Sequence, residues 1–274
     1  MKNFTAEKSG KLSQYLLEKY NGALSYARFM KLLREKDIKI NGARVRSDVV
    51  LNQGDFIEVY YDGDVRPAVI LFNESGVLVA DKPCGVECVD YEKFIKEKYP
   101  SAELANRLDR NTRGLIVFSL DEAAKKELFN GFKNRYFEKY YIAEVYGRFE
   151  KKSAVLTAQL KKIPDKSTVI VSDTEKEGFK KIITEYKVIK ENENSSVLLI
   201  KLITGRTHQI RAHMAHIGHF VIGDGKYGDN KINRLCGTKT QKLASYKIVF
   251  HFPENSPLSD IDGKTVVLPE KPFV

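Results

Sequence analysis

The sequence of 274 residues predicts an α+β protein in two parts. Three observations carry this. Residues 1–65 read as two helices, a hairpin and a strand. From residue 66 onwards most segments alternate apolar and polar side chains between short polar turns, as antiparallel strands do. Helical periodicity appears in that second part only near 93–99, 121–130 and 204–219. A hydrophobic content of 42% and a charged content of 30% are those of a globular chain with a real core.

In the first part Leu12, Leu16 and Leu17 mark a helix. Ser25 can cap a second over Tyr26–Lys36, with Tyr26, Met30 and Leu33 as core face and Arg28, Lys31 and Arg34 as a basic stripe beside it. Ile38-Lys39-Ile40 and Ala43-Arg44-Val45 flank Asn41-Gly42, a strong hairpin signal because both turn positions need left-handed backbone. Arg44 and Arg46 add charge beside the stripe, and Gly54-Asp55 leads into a strand over Phe56–Tyr61. The unit resembles the small RNA-binding domain first recognised in a ribosomal small-subunit protein. That resemblance implies a basic helix face laid on RNA backbone, with Arg28, Lys31, Arg34 and Arg44 as contacts. Asp62-Gly63-Asp64 and Pro67 read as the linker between domains 1–65 and 66–274.

The second part opens with strands Val69–Phe72 and Val77–Ala80, ended by Asp81-Lys82-Pro83-Cys84-Gly85. A short helix is expected over Lys93–Tyr99. Leu115–Phe118 is an apolar run suited to a strand buried on both faces. Asp121 can cap a helix through Asn130 whose apolar residues are Ala123, Ala124, Leu128 and Phe129. Phe137–Gly147 alternates, placing Lys139, Tyr141, Ala143 and Val145 on one face. A Lys-rich hairpin spans 151–181, and strands Ile182–Ile189 and Val197–Ile203 flank the polar loop Glu191–Asn194. A helix within Thr204–His219 is expected to start at a Thr207 cap, bury Ile210, Met214 and Ile217, and stop at Gly218. Strands Leu243–Phe252 and Val266–Leu268 complete the chain.

Chemistry concentrates just before Leu115. Asp109 stands among Arg107, Arg110 and Arg113, with Asn111, Thr112 and Gly114 as turn residues. Nearby cations favour an ionised carboxylate, which can act as nucleophile, general base or electrostatic stabiliser, or be a turn residue in an ion pair. The net charge of +10 and pI near 9.2 point to a polyanionic partner, nucleic acid before acidic membrane. No apolar run has membrane-spanning length, and no signal-peptide core is expected at the start. The three cysteines, Cys84, Cys88 and Cys236, suit a reducing cytoplasm, with Cys84 and Cys88 expected as buried thiols. Four of the five histidines lie between 208 and 219, but without zinc-site spacing, so no metal is expected. Arg206 and Arg211 suit an anion instead.

Four motifs stand in one order: Asp81-Lys82-Pro83-x-Gly85, Arg107-Leu108-Asp109-x-x-Thr112-x-Gly114-Leu115, Lys139-x-Tyr141-x-Ala143 with Gly147, and Thr204-Gly205-Arg206-Thr207-His208-Gln209-Ile210-Arg211. In this order residues 66–274 resemble the RluA-type pseudouridine synthases, which isomerise uridine in ribosomal and transfer RNA. The resemblance implies a mixed, mainly antiparallel central sheet with flanking helices and a central cleft. It implies Asp109 as catalytic carboxylate, Arg211 as its partner, and Tyr141 as the residue that stacks on the base and helps remove the ring proton. It gives Arg107, Arg110, Arg206, His208 and Gln209 as RNA contacts, and neither cofactor nor metal. The expected protein is a cytoplasmic monomer acting on large-subunit ribosomal RNA more than on transfer RNA. Asn106, Arg113 and Ala244 depart from the family pattern, the first two at positions expected to touch flanking RNA. The alternatives are a non-catalytic ribosome-assembly protein on the same fold and a zinc deaminase. The latter lacks its Cys pair and His-Glu element.

Overall fold

The computed structural model describes all residues except 1, 21–23, 25, 62–67, 164–166 and 239. The Ser25 cap, the Asp62–Pro67 linker and the 65/66 boundary lie outside the described residues. The contacts divide the chain into two compact units, Met1–Ala68 with Val89–Lys98, and Val69–Cys88 with Tyr99–Val274.

The first unit holds β1 (Lys2–Thr5), β2 (Gly10–Lys11), α1 (Leu12–Lys19), α2 (Tyr26–Glu35), β3 (Ile38–Ile40), β4 (Ala43–Arg44), β5 (Val50–Leu51) and β6 (Phe56–Val59). Its larger sheet runs β1-β6-β3-β4. Asn41 and Gly42 have φ of 49° and 80°, the left-handed pair that the hairpin needs. The core face of α2 differs from expectation. Phe29, Leu32 and Leu33 are fully buried, whereas Tyr26 is 56% exposed. Phe29 and Leu33 are i, i+4 neighbours with Leu32 beside them, so the apolar stripe passes Tyr26 by and leaves its ring tilted against Phe29.

After β7 (Val69–Glu74) and β8 (Val77–Lys82) of the second unit, α3 (Cys88–Lys96) belongs from Val89 onwards to the first, and the second resumes with β9 (Glu103–Leu104), β10 (Arg113–Ser119), α4 (Glu122–Asn134) and β11 (Glu138–Tyr146). Then come β12 (Ser153–Lys162), β13 (Val169–Ser172), β14 (Lys180–Glu191), β15 (Ser195–Leu202), α5 (Gln209–His216), α6 (Asn230–Leu235), β16 (Leu243–Val249) and β17 (Thr265–Val267). An 11-stranded sheet forms in the order β13-β12-β14-β15-β11-β16-β10-β8-β7, with β17 beside β16 and β9 beside β10. Among the described residues β10 and β16 pair in parallel and the other neighbours pair antiparallel, so the sheet is mixed and mainly antiparallel.

Leu115–Phe118 is buried on both faces as expected, each residue no more than 1% exposed. Asp121 caps α4, its carboxylate accepting from the Ala124 N–H at 2.8 Å. That helix runs four residues further than expected, and Phe129 is 64% exposed while Phe137 fills the space beside Gly131. The helix expected at Lys93 begins at Cys88. β11, β16 and β10 lie side by side at the centre of the sheet, and their contact is unusually close. A Cβ on Gly114 (φ 109°) would stand 2.2 Å from the Ser245 carbonyl oxygen, and Ser245 is paired on its other side with Tyr141. Gly114 therefore permits the approach that sets the chain before β10 next to Tyr141.

Candidate active site

Asp109 sits in the turn that feeds β10, its side chain 25% exposed, with its carbonyl accepting from the Thr112 N–H at 3.0 Å. The segment after β8 grips this turn along its length. The Cys88 thiol donates to the Leu108 carbonyl at 3.0 Å, and its sulfur accepts from the Leu108 N–H at 3.2 Å. The fully buried Lys82 ammonium donates to the Arg110 carbonyl at 3.1 Å, and to the Pro83 and Val86 carbonyls. The Gly85 N–H donates to the same Arg110 carbonyl at 2.9 Å, and the Cys84 thiol to the Asn111 carbonyl at 3.1 Å. Burial lowers the Lys82 pKa and raises those of both thiols. Cys84 is only half-buried, contrary to expectation, because it faces the turn rather than the core.

Arg211 reaches the carboxylate from α5. Its Nη1 donates to Asp109 Oδ2 at 2.7 Å. The other edge of the guanidinium is held by Asp224, with Nε to Oδ2 at 2.6 Å and Nη2 to Oδ1 at 2.9 Å. Asp224 is 1% exposed and also accepts from the backbone N–H groups of Lys226 and Tyr227. Burial works to raise its carboxyl, but Arg211 and these N–H donors outweigh that and leave it below the ordinary aspartate range. Burial likewise opposes the Arg211 charge, and the two carboxylates more than restore it. The guanidinium stands over the Tyr227 ring, 5.2 Å from its centre. A buried carboxylate thus fixes the arginine, and the arginine aims at a carboxylate that solvent can reach.

Tyr141 is 8% exposed on β11, with the Ser245 hydroxyl as hydrogen-bond partner. Burial pushes its phenol up to about 12, and the charge of Asp109 adds to the rise. At neutral pH it is protonated, so its hydroxyl can donate a hydrogen bond.

His208 begins α5 in left-handed backbone (φ 53°), its Nε2 3.8 Å from Asp109 Oδ2 and its Nδ1 2.8 Å from the Tyr227 hydroxyl. Burial lowers its pKa more than Asp109 raises it. Thr207 does not cap this helix. Gln209 closes the turn instead, accepting from Thr204 Oγ1 at 2.8 Å and the Arg206 N–H at 3.1 Å. It also donates to the Ile183 carbonyl and Thr184 Oγ1, both at 3.1 Å. With its amide fully used and the residue 2% exposed, Gln209, expected as an RNA contact, braces the start of α5.

Arg107 and Arg206 are exposed, and so is Arg110, whose Nε donates to the Gly85 carbonyl at 3.0 Å. Asn106 and Arg113 both bond to neighbouring groups of the protein. Asn106 Oδ1 accepts from the Val117 N–H at 2.9 Å, and Arg113 lies 3.2 Å from Asp81. In the first unit Lys31 and Arg34 are exposed on α2, with Lys31 3.6 Å from Glu35. Arg28 lies 3.4 Å from the same Glu35, so that acid offsets part of the basic stripe. Arg44 is exposed and donates to the Lys36 carbonyl at 2.6 Å. The histidines diverge, His213 to Thr184 and His216 to Asp173, and no group of His, Cys, Asp or Glu among the described residues is arranged to hold a metal ion.

The profile of the family described as RNA pseudouridylate synthase matches residues 76–216, which contain Asp109, Tyr141 and Arg211. The chain belongs to this family. A Yersinia pestis relative named dual-specificity RNA pseudouridine synthase RluA is 32% identical over 200 residues, covering 69% of this chain and 96% of that one. A Vibrio parahaemolyticus relative named ribosomal large subunit pseudouridine synthase C is 24% identical, covering 85% and 82%. The solved structure of human RNA pseudouridylate synthase domain containing 1 superposes with a TM-score of 0.66 at 23% identity, over 77% of this chain and 86% of that one, and shares the fold. The enzyme is therefore an RNA pseudouridine synthase, an isomerase. Asp224 and Tyr227 fall beyond the matched residues. The motifs did not reveal them. Their signal is an acid in the turn Gly223-Asp224-Gly225-Lys226-Tyr227-Gly228, directly after the apolar pair Val221-Ile222.

Proposed function

We propose that this synthase converts uridine to pseudouridine in large-subunit ribosomal RNA, with Asp109 as its catalytic carboxylate. The observation that carries this reading is the Asp109–Arg211–Asp224 chain of charge-assisted hydrogen bonds, which leaves one carboxylate oriented and open while its support is buried. The reaction breaks the bond from the uracil nitrogen to the sugar, turns the base, and rejoins it through a ring carbon. It begins with a carboxylate, whether Asp109 attacks the anomeric carbon or takes a proton from the adjacent sugar carbon. Arg211 keeps that carboxylate aimed in both cases. Tyr141 packs on the uracil and presents a protonated hydroxyl to it. His208, neutral and tied to Tyr227, closes the other side of Asp109.

A uridine must leave its stack to reach Asp109, which costs a few kcal/mol and least in a loop. Contacts from Arg107, Arg110 and Arg206, and from Arg28, Lys31, Arg34 and Arg44 of an N-terminal RNA-binding unit, offset that cost. Ribosomal RNA is preferred because the relative matched over the greater share of this chain carries a large-subunit name. A second RNA substrate is favoured by one observation, the dual-specificity name of the 32%-identical relative. The test is mass spectrometry of pseudouridine in unmodified ribosomal and transfer RNA incubated with the enzyme. New pseudouridine in ribosomal RNA is expected. Its absence there, with product in transfer RNA alone, would reassign the substrate.

A further inference from the structure

The ammonium of Lys139 has no hydrogen bond or ion pair among the described residues, although it is only partly exposed. It stands on β11 two residues before Tyr141, and alternation along the strand puts both on one face. Among the described residues, no anion acts on it. Burial lowers its pKa, and the charge acting on it is the like charge of Arg135, at the left-handed end of α4. It also has a doorway. Gly205 lies beside it, and a Cβ there would be 3.4 Å from Nζ, so a larger side chain would cover the ammonium. Arg206, exposed and next in sequence, adds a cation to the chain that passes Lys139 at Gly205. Three residues on from Gly205 is His208, which faces Asp109.

A desolvated cation without a counter-ion, beside other cations, is costly unless a ligand brings the negative charge. We propose that Lys139, reached over the bare backbone of Gly205, binds a backbone phosphate of the RNA next to the extruded uridine, with Arg206 as the outer cation. This rests on the proposed RNA reading and adds a binding site to it. Lys139 is assigned to binding, and the chemistry stays with Asp109.

The test uses the full-length enzyme and a hairpin RNA with uridines in its loop. Affinity is read by fluorescence anisotropy across a series of KCl concentrations, for wild type, Lys139→Met and Lys139→Arg. Lys139→Met is expected to bind several-fold more weakly and to flatten the slope of log affinity against log salt by about 0.7, the loss of one phosphate contact on single-stranded RNA. Lys139→Arg is expected to restore the slope, which a packing role would not. Gly205→Val, with Lys139 intact, is expected to reproduce the flattened slope by blocking the doorway. An unchanged slope in Lys139→Met, with correct folding verified by circular dichroism, would overturn the proposal. Binding is read without turnover, so failure of the isomerase reading would appear separately, as absence of pseudouridine from the wild type.

Discussion

Replacing Asp224 tests the buried support of Arg211 apart from Asp109, the carboxylate proposed to react. Asp224 accepts two hydrogen bonds from Arg211 and two from backbone N–H groups, at 1% exposure. Truncation to alanine leaves a buried guanidinium with only Asp109 as counter-ion. Breaking such a pair from one side costs about 3–5 kcal/mol, a large part of a typical folding stability of about 5–15 kcal/mol. Asp224→Asn keeps an acceptor for part of this network and loses the charge, so a smaller loss of about 1–3 kcal/mol is expected. Without its second anchor the Arg211 fork can swing, and misplacement of the group it aims can cost about 100-fold in rate. Urea unfolding and single-turnover pseudouridine formation at pH 7 measure the two effects. The pH dependence has a definite sign. The folded Asp224 pKa lies below its ordinary value of 3.8, so its contribution is complete at neutral pH. It shrinks as pH falls below 3.8 towards the folded value, and the wild-type advantage over Asp224→Asn should shrink with it. An Asn variant within 0.5 kcal/mol of wild type by the surface-substitution standard, and equally fast, would refute this account of Arg211.

Tyr141→Phe should bind hairpin RNA as wild type does and lose most turnover, measured by tritium release from the uracil C5 position; near-normal release would remove the hydroxyl from the mechanism. Because burial holds the phenol near 12, wild-type turnover should show no titration from Tyr141 between neutral pH and about 10. Gly114→Ala should be destabilised by at least about 2 kcal/mol in urea, because its Cβ would collide with the Ser245 carbonyl at a backbone angle that alanine disfavours. Lys31→Ala with Arg34→Ala should flatten the salt dependence of RNA binding by about 0.7 to 0.9 per cation lost, measured by anisotropy. An unchanged slope would make the N-terminal unit a structural appendage.

The parts legible in the sequence are those set by local pattern. Leu115–Phe118 is uniformly apolar and partly β-branched, as a strand buried on both faces is, Asn41-Gly42 fixed its own turn, and Asp121 announced the start of α4. The pairing of Asp109 with Arg211, 102 residues apart, was legible only because four motifs in order resembled a known family. Other features depend on tertiary contact. Gln209 looks like any polar residue on an amphipathic helix, yet Gln209–Met214 is buried throughout, and only the packing shows it. Tyr26 and Phe29 are both apolar at helical spacing, and which one turns inward is decided by what packs against α2. Asp224 showed only as an acid in a glycine-rich turn, because its role is set by the guanidinium it meets in space.

The most direct test of the account is the pseudouridine content, by mass spectrometry, of ribosomal RNA incubated with wild-type enzyme or with Asp109→Asn. The substitution removes one negative charge at a partly exposed position, so the fold and RNA affinity should persist. Pseudouridine from the wild type and none from Asp109→Asn, with equal RNA binding, is the predicted result. Continued product from Asp109→Asn would contradict it and assign the chemistry to another carboxylate.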